Sequence, residues 1–395
     1  MSMQRITSAL GLSALVASVL VSIPIPASSS TCSLQGSGTQ AEPYLITTEA
    51  ELRDVNDCLP AIDRFSTLTS SVYFSLQSNI SLASSWAASQ ISWEPSSFLG
   101  VGEYGASTDV PTLYFDGNGH TVSNLEVVDS AGRGFNSGLG LFGTVPALIV
   151  NDLQIIAGDI EPLSGKAGVL VGHTTYLEAS NVHVEFESLD GTTVECVGNG
   201  PRGMGSIAGW VGYASELRNV SAYSPNGVSG GNGMGGLLGF SPLADIQGAY
   251  YEGDVSSDCS NSDWNGGIIG QTYWVRSAGE TRDVIFKDVV FNGNVSIPNG
   301  NSSAGIVGFI TWDAIFERVA VYGSVSSENN SGGLIGFASE FADDSRGIAE
   351  GDLTVSDVII EADVTATAGK AGLLLGTKED DETGQDSSST IDDIL

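Results

Sequence analysis

The chain has 395 residues, and its hydrophobic fraction of 41% is enough for a packed interior and too high for a disordered chain. Acidic residues outnumber basic residues 47 to 14, which gives a formal net charge of −33 at pH 7. Such a charge repels nucleic-acid phosphates and anionic membrane surfaces, so it argues against both as partners. We interpret the charge as a source of solubility. The alternative is that some of the carboxylates hold calcium, while no other cofactor is expected.

The first residues have the pattern of a secretory signal. Arg5 supplies the positive charge, the apolar stretch 8–25 follows, and small residues after Pro26 suit cleavage near residue 29. No later stretch approaches the ~20 apolar residues that cross a bilayer. We therefore expect residues 1–29 to be a signal peptide and the mature chain to be secreted or held at the cell surface, without membrane insertion.

Four cysteines follow this segment, and an even number in a secreted chain favours disulfides. Four cysteines allow three pairings. We expect Cys32–Cys58 and Cys196–Cys259, because each pair stays within one structural region. No Cys-x-x-Cys spacing occurs, so the sequence gives little support for a zinc or redox site.

Residues 30–110 are expected to form an N-terminal cap region and the first coils of a repeat. A short strand is predicted over Tyr44–Ile46. Thr48 is followed three residues later by Glu51, a capping box that predicts a helix over 49–58. Further on, the Asp-Gly-Asn-Gly turn former of residues 116–119 separates two short predicted strands within 113–125.

A glycine-bracketed apolar run recurs along the region 111–376. The first glycines of successive runs are 28, 41, 27, 31, 38, 28 and 39 residues apart. A unit of that length cannot bury its own apolar face, so it must stack on its neighbours in a solenoid. The runs are Gly140–Gly143, Gly168–Gly172, Gly209–Gly212, Gly236–Gly239, Gly267–Gly270, Gly305–Gly308, Gly333–Gly336 and Gly372–Gly376.

The second half of each repeat alternates large apolar, exposed, small, exposed and β-branched residues, a period of two that indicates a strand with one buried face. Helical periodicity is almost absent after residue 110. We therefore predict an all-β chain that forms a parallel β-helix with a short N-terminal capping helix. The acidic stretch 377–395 is predicted to be a disordered tail. The alternation is found in Ile156–Ile160, Tyr251–Val255, Phe291–Val295, Val321–Val325 and Ile360–Val364.

Three features of the chain resemble the GLUG-repeat family of secreted and surface proteins. They are the stretch 36–46 with the helix that follows it, Phe115–Leu125 with its Asp-Gly-Asn-Gly-His sequence, and the repeated Gly-apolar-apolar-Gly run. The resemblance covers about residues 36–376. It implies a β-helical module of bacterial or archaeal surface proteins, often an adhesin and sometimes attached to IgA-cleaving metallopeptidases. The peptidase part does not carry over, because the chain has no His-Glu-x-x-His sequence.

No catalytic or metal-ligating set emerges from the remaining polar residues. His120 belongs to the turn at 116–120, and His173 and His183 have no third ligand nearby in the sequence. The polar stretch 261–266 is similar to a calcium loop. It has Thr272 where a bidentate glutamate is needed, so we interpret it as a plain polar loop.

Aromatic residues give the best indication of a ligand site. Tyr176, Trp274 and Trp312 each lie four residues past the closing glycine of a run. Exposed, spaced aromatic rings stack on sugar rings, so these three are the candidate ligand-binding residues. The alternative is that they pack beneath a loop. A second set recurs one residue past the same glycine and is interpreted as an internal aromatic stack: Tyr213, Phe240, Phe309 and Phe337.

The sequence favours a secreted, non-enzymatic β-solenoid that binds glycans or other surface partners through loops on a rigid scaffold. Two alternatives stay open. A polysaccharide-degrading β-helix enzyme would need a groove with an arginine and at least two carboxylates on stacked strands. A structural spacer of the envelope or matrix would have a uniformly polar surface. The identity of the ligand and the oligomeric state are left open.

Overall fold

The structure of the protein is a computed structural model that describes residues 32–60, 71–83, 85–86, 90–93, 110–129, 138–163, 165–191, 202–259, 262–272, 283–311, 313–339, 353–379 and 389–394. The chain divides into two compact units, Met1–Thr31 and Cys32–Leu395. The first unit contains the whole of the predicted signal segment and lies outside the described residues. Within the described part of the chain, no helix has both the length and the apolarity to cross a membrane.

The N-terminal region begins with the predicted strand, β1 (Tyr44–Ile46). The capping box is present, since the Thr48 side chain accepts a hydrogen bond from Glu51 N and the Glu51 carboxylate accepts one from Thr48 N. It starts helix α1 (Glu49–Arg53). The chain bends at the next residue into a second short helix, α2 (Val55–Cys58), so the single helix predicted over this stretch is two helices.

A disulfide closes this N-terminal region. Cys32 and Cys58 are bonded, with their Cα atoms 4.5 Å apart, as the sequence predicts. Cys259 is also disulfide-bonded. Its expected partner, Cys196, lies outside the described residues.

The rest of the chain winds into stacked coils, and each coil contributes a long strand that pairs in parallel with the equivalent strand one coil later. This confirms the prediction of an all-β parallel β-helix. The strands that precede the long ones are β2 (Ser71–Leu76) and β3 (Ile80–Ser81). The long strands are β4 (Thr112–Val128), β6 (Phe142–Glu161), β8 (Val171–Asp190), β10 (Ala208–Tyr223), β14 (Leu243–Glu252), β18 (Val284–Ile297), β21 (Ala314–Ser327) and β24 (Leu353–Ala366).

Two shorter sets of strands complete the cross-section. The glycine-bracketed run begins β6, β8 and β10 and then forms separate strands in the later coils: β13 (Leu238–Phe240), β17 (Ile269–Thr272), β20 (Val307–Ile310), β23 (Ile335–Ser339) and β26 (Leu375–Glu379). The chain just before each run forms two four-stranded parallel sheets. One contains β5 (Gly138–Leu139), β7 (Lys166–Ala167), β9 (Arg202–Met204) and β12 (Asn232–Met234). The other contains β16 (Asn265–Gly266), β19 (Ser302–Ala304), β22 (Asn330–Gly332) and β25 (Lys370–Gly372). Two pairs of residues after β10 and β14 form β11 (Val228–Ser229) and β15 (Val255–Ser256).

A corner with positive φ bends each long strand into two halves, and it is formed by two residues in β4 and by one residue in each later strand. In β4 the corner is the predicted turn, with φ of 50° at Asn118 and 73° at Gly119, and the strand continues through it. In several later coils polar corner side chains bond to one another: Asn181 Nδ2 donates to Asp152 Oδ1 at 2.8 Å. The corners of these later coils are Asp152, Asn181, Asn219, Gly248, Asp288, Arg318 and Asp357.

Because the strands pair in register, equivalent residues of successive coils lie above one another in columns. Three buried columns surround the core. The first half of the long strands supplies Phe115, Val150, Ala179, Leu217, Ile246, Phe286, Phe316 and Val355. The second half supplies Val122, Ile155, Val184, Ala222, Tyr251, Phe291 and Val321. The glycine-bracketed run supplies Phe142, Val171, Ala208, Leu238, Ile269, Val307 and Ile335.

From the second run onward, the closing glycine lies directly against the backbone of the short sheets. A Cβ atom on Gly308 would lie 2.4 Å from Asn265 N, closer than any side chain fits. The register also corrects one run, because Ala208 pairs with Val171 and Leu238. Gly209 is therefore the closing glycine of its run. The sequence-based assignment of Gly209 as the opening glycine of a run over Gly209–Gly212 is wrong.

The acidic tail contains a strand that the sequence does not predict. Strand β27 (Ser389–Ile394) pairs in parallel with β24, with Ile391 opposite Val355 and Ile394 opposite Val358. The prediction of disorder over 377–395 is wrong for this segment. The segment has too few apolar residues among its acidic ones for the alternation of a strand to be recognised in the sequence. In the structure, β24 of the preceding coil offers a strand edge with which the segment pairs.

Because Gly308 has no room for a side chain, we predict that Gly308→Ala destabilises the protein by about 3 kcal/mol, at the upper end of overpacking effects. Gly158→Ala is the matched control, since its Cβ would meet only Glu126 Cγ at 3.6 Å. Urea unfolding followed by circular dichroism measures both. Equal midpoints for the two variants would contradict the close contact.

Candidate functional site

The structure tests only part of the ligand site expected from the sequence. Trp274 and Trp312 lie outside the described residues. Tyr176 is half-buried and packs against the hydrophobic core, so it is in part a core residue. The grouping of the three aromatic side chains in one ligand site therefore stays a prediction.

The second aromatic set lies in one column, but as two stacked pairs that Gln271 separates, so the continuous aromatic stack predicted from the sequence is wrong. Trp210 and Phe240 stack with ring centroids 3.9 Å apart, and Phe309 and Phe337 stack at 5.7 Å. The register places Trp210 in this column, so Tyr213 is not part of it. The reason is that Gly209 closes its run, so Trp210 is the residue that follows the closing glycine.

His173 of this column forms a buried polar pair with Lys166 of the short strand β7. His173 pairs in register with Trp210, and its Nε2 atom lies 3.3 Å from Lys166 Nζ. The Lys166 ammonium also lies 4.4 Å from the centroid of the Trp210 ring, and only 2% of Lys166 is exposed. Burial disfavours the charged form and lowers the pKa of Lys166 to about 7.

Exposed tyrosines distinguish the outer face of the long strands beyond the corner. Tyr223 and Tyr250 are 44% and 36% exposed, and Tyr322 is half-buried. Each of these tyrosines is adjacent in sequence to a buried residue of its strand. Because successive side chains of a strand point to opposite faces, each tyrosine side chain points outward. Those buried neighbours are Ala222, Tyr251 and Val321.

We call this surface the tyrosine face and define it by two outward columns. The first contains His183, Ser221, Tyr250 and Val290. The second contains Glu185, Tyr223, Glu252, Asn292, Tyr322 and Glu361. Successive members of a column are about 4.8 Å apart, the spacing of paired strands. The face is therefore a regular array in which aromatic rings are interspersed with hydrogen-bonding groups.

Hydrogen bonds hold several side chains of the tyrosine face in place. His183 Nδ1 lies 2.6 Å from Ser221 Oγ, and its Nε2 lies 3.0 Å from Glu185 Oε1. The Tyr250 hydroxyl donates to Glu252 Oε2 at 2.5 Å. This hydrogen bond to Glu252, followed by burial, raises the pKa of Tyr250, so the ring stays neutral at physiological pH.

A different outward column, on the first half of the long strands, carries three carboxylates on consecutive strands: Glu178, Glu216 and Asp245. Burial, and then the negative charge of Glu216, raises the pKa of Glu178. Arg218 forms an ion pair with Asp245 and donates to its backbone carbonyl at 2.8 Å. This arrangement contains the arginine and the stacked carboxylates that the enzyme alternative requires.

No metal centre is formed by the residues that the structure describes, since no three His, Cys, Asp or Glu side chains are grouped to hold an ion. In the stretch considered as a calcium loop, Asn265 is buried and structural. Its Oδ1 accepts from Met234 N at 2.9 Å, and its Nδ2 donates to Ser262 at 2.8 Å. His120 contacts Asn79 at 3.3 Å and joins neither of the other histidines.

Sequence analysis missed the tyrosine face, although a signal was present. The alternation in Val321–Val325 and Tyr251–Val255 already assigns Tyr322 and Tyr250 to outward positions. The sequence does not show the register between strands of successive coils. Tyr223 and Glu252 become neighbours only when one coil stacks on the next.

No family model matches the chain, and no curated protein matches it. A solved structure described as a "putative immunoglobulin A1 protease" from Bacteroides ovatus is 15% identical, with a TM-score of 0.40, over 91% of this chain and 86% of that one.

The buried amine makes stability depend on pH. Because the pKa of Lys166 falls from 10.5 to about 7, the unfolded chain binds one more proton than the folded chain between those values. Stability therefore rises with pH through that window, and the penalty of burying the amine is largest below pH 7. We predict that Lys166→Met is more stable than the wild type near pH 6. This advantage should shrink by roughly 1.4 kcal/mol per pH unit as the pH rises between about 7 and 10.5.

Urea unfolding of both proteins at several pH values measures that difference. A constant difference across the range would mean that Lys166 keeps its ordinary pKa. The comparison with the variant cancels groups that titrate alike in both proteins.

Proposed function

We propose that the chain is a secreted, non-enzymatic β-solenoid that binds glycans. The observation that carries the proposal is the tyrosine face, where Tyr223, Tyr250 and Tyr322 are turned outward on a regular array of strands. Aromatic rings stack on the apolar faces of sugars, and the carboxylates and amides between them accept hydrogen bonds from hydroxyl groups.

The scaffold suits an extended polymer. The strands of the face are fixed by the core columns beneath them, so the side chains are ordered before a ligand arrives. Successive coils repeat every ~4.8 Å, which offers contacts along a chain of sugars rather than around a single ring. A binding site on strands replaces the loop site proposed from the sequence as the better supported of the two.

Secretion and a surface location are part of the same proposal. They are supported by the signal-like segment over 1–29 and by the Cys32–Cys58 disulfide, a bond that persists in oxidising compartments. The resemblance to GLUG-repeat proteins, many of them adhesins, agrees with a role in attachment to a surface.

A second candidate function is a polysaccharide-degrading enzyme at the column of Glu178, Glu216 and Asp245. The specific observation in its favour is that the pKa of Glu178 is raised by burial and by Glu216, as in a general acid. Against it, Arg218 is already engaged by the side chain and backbone of Asp245, which leaves it less free to neutralise a substrate carboxylate.

We predict that Tyr223→Ala/Tyr322→Ala weakens binding of the polysaccharide that the wild type retains on affinity gels by at least tenfold, because two stacking surfaces are lost. Tenfold corresponds to about 1.4 kcal/mol. Tyr73→Ala is the matched control, a half-buried tyrosine that stacks on Tyr114 on the other outward face.

A Trp274→Ala/Trp312→Ala variant runs beside these to test the loop site. Loss of binding in that variant alone would move the site to the loops. Absence of retention by every neutral, acidic and basic polysaccharide in the panel would contradict glycan binding.

For the enzyme alternative, we predict no new reducing ends and no unsaturated sugar products when the wild type is incubated with the retained polysaccharide. Product formation that falls at least a hundredfold in Glu178→Gln, with Glu328→Gln as the control carboxylate outside both outward faces, would instead establish the enzyme.

A further inference from the structure

We propose that the ligand of the tyrosine face is a glycan that carries free amino groups, such as a polymer of glucosamine. This inference rests on the proposed function and names its ligand class. It starts from the order of residues in the second column of the face, where Tyr223 stands between Glu185 and Glu252 on adjacent strands. Tyr322 stands between Asn292 and Glu361 in the same way.

A tyrosine ring with acidic groups on either side suits an ammonium group. The face of the ring attracts a cation through its quadrupole, and this attraction is larger when the cation is partly desolvated. Carboxylates then form charge-assisted hydrogen bonds with the ammonium protons, which are about twice as strong as neutral ones. A hydroxyl group gains only the weaker, neutral bond.

The carboxylates have capacity left for such a ligand. Glu185 shares one hydrogen bond with His183, and Glu252 accepts one from Tyr250, while an ionised carboxylate offers about four acceptor positions. Glu361 lies on the exposed side of its strand. Each of these carboxylates therefore keeps hydrogen-bond acceptor positions that a ligand can use.

The charges around the face also select against the other glycan classes. Neither outward column contains a lysine or an arginine among the described residues. With a net charge of −33 over the chain, a uronate or sulfated polymer is repelled. An N-acetylated polymer has the same ring geometry as its amine counterpart but offers no positive charge, so it forms the closest neutral comparison.

The experiment compares a short β-1,4-linked glucosamine oligomer with the same oligomer fully N-acetylated, by calorimetric titration into the full mature chain at slightly acidic pH and low salt. We expect the amine oligomer to bind at least tenfold more tightly. Added salt should reduce this advantage, because it screens exposed charges. Glu185→Gln/Glu252→Gln should lose the advantage and keep its affinity for the N-acetylated oligomer within about twofold.

Glu42→Gln/Glu328→Gln is the matched control, since it removes two exposed carboxylates that lie outside both outward faces. If both pairs lower the affinity for the amine equally, the effect is one of net charge and the inference is wrong. Thermal melts of each variant show whether the fold is retained.

Two further outcomes separate this inference from the proposed function. Equal affinity for the two oligomers, lost in Tyr223→Ala/Tyr322→Ala, would keep glycan binding and overturn the preference for amines. Binding of polylysine as tight as that of the amine oligomer, unaffected by loss of the tyrosines, would overturn recognition of a sugar. No binding of either oligomer or of any other glycan would overturn the proposed function itself.

Discussion

Hydrogen bonding between parallel strands of successive coils is the constraint on which the whole structure depends. It fixes the register, so each position in a coil lies directly above the same position in the next. The side chains of one column therefore share one environment, either the interior or the solvent. Inward columns stay apolar, as in Phe286 over Phe316, whose rings stack at 4.8 Å. The closing glycines are a consequence of the same stacking, because the short sheets leave their Cα atoms no room for a side chain.

The register also creates the surfaces. The corner residues divide each long strand into two halves that face different directions, and each half displays its own outward columns. One half carries stacked carboxylates with Arg218, and the other carries the tyrosine face. The two functional hypotheses thus belong to two separate surfaces of one scaffold, which allows a substitution on one face to serve as a control for the other.

The interior is not uniformly apolar, and this has an energetic cost. The column beside the glycine runs contains the buried His173, and the buried Lys166 of β7 lies next to it with its amine against the Trp210 ring. The favourable contacts of the amine with a ring and an imidazole do not replace its hydration, which is why its pKa falls. Such a group lowers stability at neutral pH and below without bearing on the ligand face.

The sequence by itself determined the fold class, the N-terminal capping box and the Cys32–Cys58 pairing. These depend on periods, local hydrogen bonds and regional proximity, all of which are visible within a short stretch of chain. The tertiary structure alone decided the frame of the run at Gly209, the strand within the acidic tail and the tyrosine face. Each of these depends on which residues of different coils lie side by side. That relation is set by the lengths of the intervening loops and the register of the strands, and neither is encoded in any single repeat.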